Sequence, residues 1–435
     1  MTAIDRTGRT RFGRMRVRIA RGLAVSLLAL LAAAGAGATP PHVILVSLDG
    51  TRPADVTEAD LGAVAAFREE GAAARSMIGV SPSNTFPSHV SLITGVAPEQ
   101  HGIVNNSFVD AERGVFAKKD IPSWIEVEPL WSWLAERGIV SASYYWVGSE
   151  GPWPKSGRGP LHWKPFSSRT GEKKKVEQML AWLDLEDSVA HPRFISSWFH
   201  GADHAGHHDG PGTDAARESL HEQNAAIETL IAGLEARDAF AYTTLIFVSD
   251  HGMVAAERTV NLGSVFEQAG LRARVSGIGG FANVNLAGSG DVAARAKRAV
   301  EVAREQGLEA HVRAEAPADW RVDNARFGDV VVRAPIGTAI VYGSLSLDGY
   351  HGYAPEEEAM RAVFFARGRG AKPGTDLGVV RAVDVAPTVV HLLGLEPPDW
   401  MEGEVIEGLR AGAVPSGGES ARLGLPVMDA GGGAE

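Results

Sequence analysis

From residue 42 onward the chain alternates unbroken apolar runs with amphipathic stretches. Residues 42–50 (HVILVSLDG), 193–203 (RFISSWFHGAD) and 243–252 (TTLIFVSDHG) each hold an apolar run followed by an aspartate. Runs without polar alternation suit strands buried on both faces of a parallel sheet. Between them, 61–71 (LGAVAAFREEG), 130–138 (LWSWLAERG) and 218–237 (ESLHEQNAAIETLIAGLEAR) read as amphipathic helices. The order predicts an α/β fold, an open sheet with helices on both faces. Ligands of such sheets bind beyond the carboxyl ends of the strands. Asp49, Asp203 and Asp250 would meet at that edge, an arrangement that is costly unless positive charge sits among them.

Two segments interrupt the pattern. Residues 147–175 are rich in Gly, Pro, Trp and Lys with no clear period. Residues 260–345 carry strand-like pieces (GGFANVNL, VVVRAPIG) around a helical one (DVAARAKRAVEVAREQG), and they read as an inserted smaller subdomain. A last core helix in RAVDVAPTVVHLLGLEPP is stopped by Gly and Pro. Residues 411–435 read as a disordered tail, which leaves 39–410 as the catalytic body.

Composition narrows the chemistry. A length of 435 residues admits two or three domains, or one large α/β domain with insertions. The formal net charge of -11 argues against a broad, stable grip on nucleic-acid backbones but leaves room for a local basic pocket. The absence of cysteine excludes disulfides, thiol nucleophiles, Cys-ligated zinc and iron–sulfur clusters. At the N-terminus a basic stretch, an apolar run and a small-residue AGA pattern describe a signal peptide over 1–38, cut after Ala38. Met15 is an alternative start, and an uncleaved anchor is the competing reading. The run is short of the ~20 residues a spanning helix needs, and no membrane span is expected in the mature chain. A periplasmic or secreted location follows from this reading.

Candidate metal ligands cluster where the strands end. In WFHGADHAGHHDGP, Asp203 and His207 are four apart, which places them on one side of a helical turn. Asp250 and His251 follow the third apolar run, and His351 lies in DGYHGYAP. Singly, each fits a turn or a solvated loop. Jointly, Asp49, Asp203, His207, Asp250, His251 and His351 suffice for two divalent sites of three ligands each. Two ions ~4 Å apart can hold the attacking and leaving oxygens of a phosphoryl group.

The turn SPSNTFPSHVSLITG (81–95) poses the remaining question. Thr85 fits a helix N-cap, and the turn alone favours that reading. A hydroxyl at a helix start, next to a divalent ion, is also a plausible nucleophile toward phosphorus. Ser81, Ser83 and Ser88 are competing hydroxyls.

The blocks VSLDG, NTFPSHVSLITGVAPEQHGIVNNSF, GADHAGHHDGP, VSDHGM and DGYHGY, in this order, resemble the nucleotide pyrophosphatase/phosphodiesterase family of the alkaline phosphatase superfamily. The resemblance implies an alkaline phosphatase-like open mixed sheet and two Zn2+ ions. It assigns Asp203, His207 and His351 to one ion and Asp49, Asp250 and His251 to the other. Thr85 would be a ligand of the second ion and the nucleophile, forming a covalent phospho-threonine intermediate that water hydrolyses. Asn106 matches the amide that would donate to a phosphoryl oxygen beside the backbone N–H after Thr85, with Asn105 as the neighbouring alternative. His200-Gly201-Ala202 departs from the acidic or proline-containing stretch often found before this aspartate, which touches pocket shape rather than a ligand.

The implied substrate is a small-molecule phosphodiester or pyrophosphate, most readily a nucleotide. Phe86, Trp163 and Phe166 are candidates for stacking on a base, where each contact contributes ~1–3 kcal/mol; core packing is the plain alternative. Phosphonoacetate-type hydrolases and phospholipid head-group diesterases of the same superfamily compete as readings, as does an inactive metal-binding relative. A sulfatase would need a modifiable Cys or Ser followed by Arg, which SPSNTF lacks.

Overall fold

The computed structural model describes residues 39–116, 118–343 and 346–410. The expected signal peptide and C-terminal tail lie outside them. Among these, the residues from Pro41 to Arg410 make one compact unit.

Its centre is an eight-stranded sheet. In chain order the strands are β1 (His42–Leu48), β2 (Ala72–Ala73), β3 (Ser141–Tyr144), β4 (His162–Lys164), β5 (Phe194–Phe199) and β6 (Thr243–Val248). After the insertion described below come β11 (Phe364–Gly368) and β12 (Thr375–Asp376). The spatial order is β12-β2-β11-β6-β1-β5-β3-β4. The pairs β1–β5, β1–β6, β3–β5 and β3–β4 are parallel, while β11 runs antiparallel to β6 and β2. This is the mixed sheet implied by the family resemblance, and the three apolar runs form its parallel centre.

Every residue of β1, β5 and β6 is buried, as unalternating runs require. Ile44, Val46 and Leu48 face a core that includes Val176 and Met179 of α3 (Glu172–Leu183) and Ile227 and Leu230 of α5 (Asp214–Glu235). Val43 and Leu45 face the opposite core, with Leu92 and Ile93 of α1 (Thr85–Thr94), Trp131 of α2 (Leu130–Glu136) and Val389 of α7 (Val385–Leu392). At ~1.5–3 kcal/mol for each large side chain fully buried, these two cores hold the sheet between its helices.

The register sets up the site. Ser47 lies opposite both Trp198 and Val248, so the three central strands end level. Asp49 and Asp250 emerge at the same edge, and Asp203 arrives one turn later on α4 (Gly201–Asp209).

Within 260–345, β7 (Ala273–Ser276), β8 (Phe281–Leu286), β9 (Glu309–Val312) and β10 (Val330–Arg333) make an antiparallel sheet ordered β7-β8-β10-β9. The helix α6 (Val292–Glu305) covers it with Ala296, Ala299, Val300 and Ala303, and Asp291 caps that helix through the N–H groups of Ala293 and Ala294. Within 147–175, β4 extends the main sheet at its edge.

Candidate active site

The helix α1 places the hydroxyl. Asn84, in extended conformation, holds the N-cap position of α1 but makes no side-chain cap bond. Thr85 is the first helical residue rather than the cap, which corrects the reading favoured by the turn alone. Asn84 is diverted because its amide donates to Asn105 Oδ1 at 2.9 Å. Thr85 Oγ1 instead lies 3.2 Å from His251 Nε2. Ser83 and Ser88 are fully buried, and Ser81 Oγ accepts from Arg333, so these competing hydroxyls are turned to other partners or to the interior.

Around Thr85 the strand ends supply acids and imidazoles. His251 Nε2 is 3.1 Å from Asp250 Oδ2 and 3.5 Å from Asp49 Oδ1. On the other side, Asp203 Oδ1 is 3.5 Å from His207 Nε2 and 3.9 Å from His351 Nε2. Two tight groups result, Asp49–Asp250–His251 and Asp203–His251–His351, each with ligand atoms within 4.8 Å of one another. His251 thus stands between the two groups, while His207 joins its group through Asp203 and a ring contact of 5.0 Å with His351.

The donor chemistry fits divalent ions. Asp49 Oδ1, Asp203 Oδ1 and Asp250 Oδ2 are buried and without hydrogen-bond partners. Such orphans are costly in a folded protein unless a cation completes them. All three imidazoles offer the same nitrogen. Nδ1 donates to a backbone carbonyl in each, Gly349 for His207, Gly252 for His251 and Ser83 for His351, which leaves Nε2 turned inward. This outer shell is the usual support for metal-bound histidine.

The electrostatics point the same way. Burial, then the charges of Asp203 and Asp250, push the Asp49 carboxyl well above its ordinary range. Burial would raise Asp250 too, but the neighbouring His251 and His89 hold it well below that range. His351 is driven well below the ordinary imidazole value by burial and by His251 and His207. The cluster is short of positive charge, which a bound cation would supply.

Several supporting residues escaped the sequence reading. Trp198 donates its indole N–H to Asp49 Oδ2 at 2.7 Å. His89 lies 3.4 Å from Asp250 Oδ2 and bonds the Thr85 carbonyl at 2.8 Å. Its position four after Thr85 was a legible signal, since that spacing shares a helix face. Lys175 is fully buried, 2.6 Å from Glu172, and donates to the Trp198 carbonyl at 2.7 Å.

The remaining expected residues divide. Asn106 Oδ1 accepts the Phe86 backbone N–H at 2.8 Å, so that N–H is engaged by Asn106. This orients Asn106 with Nδ2 as the open donor. Phe86 is half-buried beside Phe116, with Lys118 Nζ 4.5 Å from its ring centroid. Phe166 is 50% exposed and stacks on Trp198 at 5.3 Å, which places it beside the residue that holds Asp49. Trp163 stands exposed on β4 and joins none of these ring contacts among the described residues. His204 and His208 point outward on α4, their rings 4.5 Å apart.

The open mixed α/β sheet with helices on both faces is an alkaline phosphatase-like fold, and its carboxyl edge gathers three aspartates, three histidines and a helix-borne threonine. Comparison with known proteins narrows this. The family model for type I phosphodiesterase/nucleotide pyrophosphatase matches residues 43–354, and the chain belongs to that family of hydrolytic enzymes. A pyrophosphatase/phosphodiesterase of Schizosaccharomyces pombe is 27% identical over 383 residues, covering 81% of this chain and 77% of its own length. Mouse ectonucleotide pyrophosphatase/phosphodiesterase family member 3 is 29% identical over 220 residues, or 49% of this chain and 25% of that protein. The chain therefore spans only a quarter of that animal relative. Human ectonucleotide pyrophosphatase/phosphodiesterase 5 superposes with a TM-score of 0.76 at 22% identity, covering 85% of this chain and 99% of that one. An inactive murine form of the same protein, in complex with AMP, gives 0.77 at 20% identity, with coverage of 86% and 100%. No helix among the described residues is long and apolar enough to cross a membrane.

Proposed function

We propose that this protein hydrolyses phosphate diesters or pyrophosphates, nucleotide-type substrates foremost, with Thr85 as nucleophile and two zinc ions. The observation that carries the reading is the position of Thr85 Oγ1. It sits at the start of α1, 3.2 Å from the imidazole shared by two groups of unpartnered ligands. Asp203, His207 and His351 would hold one ion, and Asp49, Asp250, His251 and Thr85 the other. Bound there, the ions supply the charge that favours an ionised threonine and offsets the negative phosphoryl oxygens.

The residues of the chain do the rest. Thr85 Oγ1 forms a bond to phosphorus as the bond to the leaving oxygen breaks. Water then attacks phosphorus, the bond to Thr85 breaks, and the hydroxyl is restored. Two in-line inversions give net retention at phosphorus. The N-terminus of α1 favours the negative charge, and Asn106 Nδ2 donates to a phosphoryl oxygen. Phe86 and Phe166 border the approach and suit the flat group of a nucleotide, in line with the AMP complex of the murine neighbour. An N-terminal signal and a periplasmic or secreted enzyme complete the proposal.

The test compares rates on bis(p-nitrophenyl) phosphate, thymidine 5′-monophosphate p-nitrophenyl ester and p-nitrophenyl phosphate, with and without zinc, for wild type and Thr85→Ala. Diester cleavage well above monoester cleavage, dependent on zinc and lost in Thr85→Ala, is expected. Turnover unchanged by Thr85→Ala would sink the mechanism.

A further inference from the structure

Three buried asparagines, from three separate parts of the chain, form one hydrogen-bonded line. Asn283 lies on β8 of the inserted sheet, Asn105 in the loop after His101, and Asn84 directly before Thr85. Their exposures are 0%, 0% and 2%, so no solvent competes for these amides. Asn105 Nδ2 donates to Asn283 Oδ1 at 2.6 Å. Asn105 Oδ1 accepts twice, from Asn84 Nδ2 at 2.9 Å and from the Asn106 backbone N–H at 2.7 Å.

Backbone groups of fixed polarity set the direction of the line. The Asn106 N–H can only donate, so the Asn105 oxygen must face it. Asn105 Nδ2 is then left to donate, and Asn283 must present its oxygen. Asn283 Nδ2 in turn faces the Arg326 carbonyl, which can only accept, at 3.4 Å. Two glycines make the room. A Cβ at Gly277 would meet Asn105 Nδ2 at 2.4 Å, and one at Gly352 would meet Asn84 Oδ1 at 2.7 Å.

We infer that Asn283 is a positioning residue for the reaction, acting through Asn105 on Asn106 and on the Asn84–Thr85 turn. The inserted sheet is thereby part of the active-site frame. Without the Asn283 oxygen, Asn105 Nδ2 is a buried donor with no partner, and rotation of its amide also releases Asn84 and the Asn106 backbone. The Asn106 side chain then loses its fixed aim at the phosphoryl oxygen, so transition-state stabilisation falls while ground-state binding changes little. The inference rests on the role given to Asn106 above.

The experiment is a double-mutant cycle on the zinc-loaded full chain, with bis(p-nitrophenyl) phosphate and bound zinc measured in each protein. Asn283→Leu is expected to lower kcat about ten- to a hundredfold with KM within about threefold and zinc content unchanged. In an Asn106→Ala background the same change should cost less than about twofold, because the two act as a unit. Wild-type kcat in Asn283→Leu, or the same fold loss in both backgrounds, would overturn it.

If the leucine variant does not fold, Asn283→Asp decides. Burial raises the carboxyl's pKa, and its neutral form can accept from Asn105 and donate to the Arg326 carbonyl. A carboxyl oxygen accepts from Asn105 in either protonation state, so the variant's kcat should stay within about threefold of wild type, and a loss as large as that of Asn106→Ala would overturn the inference. A wild type that cleaves no diester, or an Asn106→Ala variant at full rate, would instead sink the underlying reading.

Discussion

His251 and His351 stack with ring centroids 3.7 Å apart and 16° between their planes. Each spends Nδ1 on a backbone carbonyl, so two Nε2 atoms are delivered side by side from loops a hundred residues apart in sequence. Two imidazoles this close repel one another if both are protonated, whereas neutral rings holding cations do not. The proposed ions would bind at these Nε2 atoms, which makes stability a readout of the site.

Chelation is expected to lower Tm, and zinc added back is expected to restore it. At a free ion concentration a hundred times Kd, one site contributes ~2.7 kcal/mol. Differential scanning fluorimetry across a zinc titration measures this. Asp203→Asn should reduce the shift without removing it, because the Asp49–Asp250–His251 group stays intact. A Tm indifferent to zinc would contradict the proposed sites.

Trp198→Phe keeps an aromatic ring in place but removes the N–H that holds Asp49 Oδ2. Loss of such an outer-shell partner is expected to weaken metal binding about 10- to 100-fold. Competition with a chromogenic chelator would show this, with circular dichroism confirming the fold. Unchanged affinity would mean that Asp49 is held by the strand end alone.

Lys175 and Glu172 form a buried pair at the root of α4. Glu172 Oε1 also accepts the N–H groups of His200 and Gly201, at 3.0 and 3.2 Å, and so anchors the helix that carries Asp203 and His207. Lys175→Met leaves the carboxylate buried and unpaired, which is expected to cost ~3–5 kcal/mol. Adding Glu172→Gln should recover much of that. Urea denaturation of both variants measures the difference.

His101 is fully buried, and burial pushes its pKa down to about 3. It accepts the Ile103 N–H on Nδ1 and bonds Ser91 Oγ through Nε2, so the neutral ring is the one that fits. The unfolded chain takes up a proton near pH ~6.5, which the folded one does not until about 3. This contribution to stability is complete above that upper value and is lost progressively as pH falls toward the lower one. His101→Gln should flatten the pH slope of stability between 4 and 6 by up to ~1.4 kcal/mol per pH unit. Denaturation midpoints at several pH values test it, and an unchanged slope would exclude His101 as the source.

The sequence by itself determined the sheet and the acids and imidazoles that gather at its edge. Short unalternating runs such as HVILVSL and TTLIFV suit strands covered on both faces, and an aspartate after each run falls at the carboxyl edge. The spacing of Asp203 and His207 foretold their shared face of α4, and the motif order pointed to the family.

Tertiary structure decided what periodicity does not encode. Whether Thr85 caps its helix or faces a cluster depended on Asn84 finding Asn105, a partner fixed only when the loop after His101 packs against α1. The sharing of His251 between two groups, the Trp198–Asp49 bond and the reach of Asn283 from the inserted sheet all join segments far apart in the chain. Local propensity and pattern act over a few residues. Hydrogen-bond direction between buried groups is settled only when the whole set of donors and acceptors has been brought together.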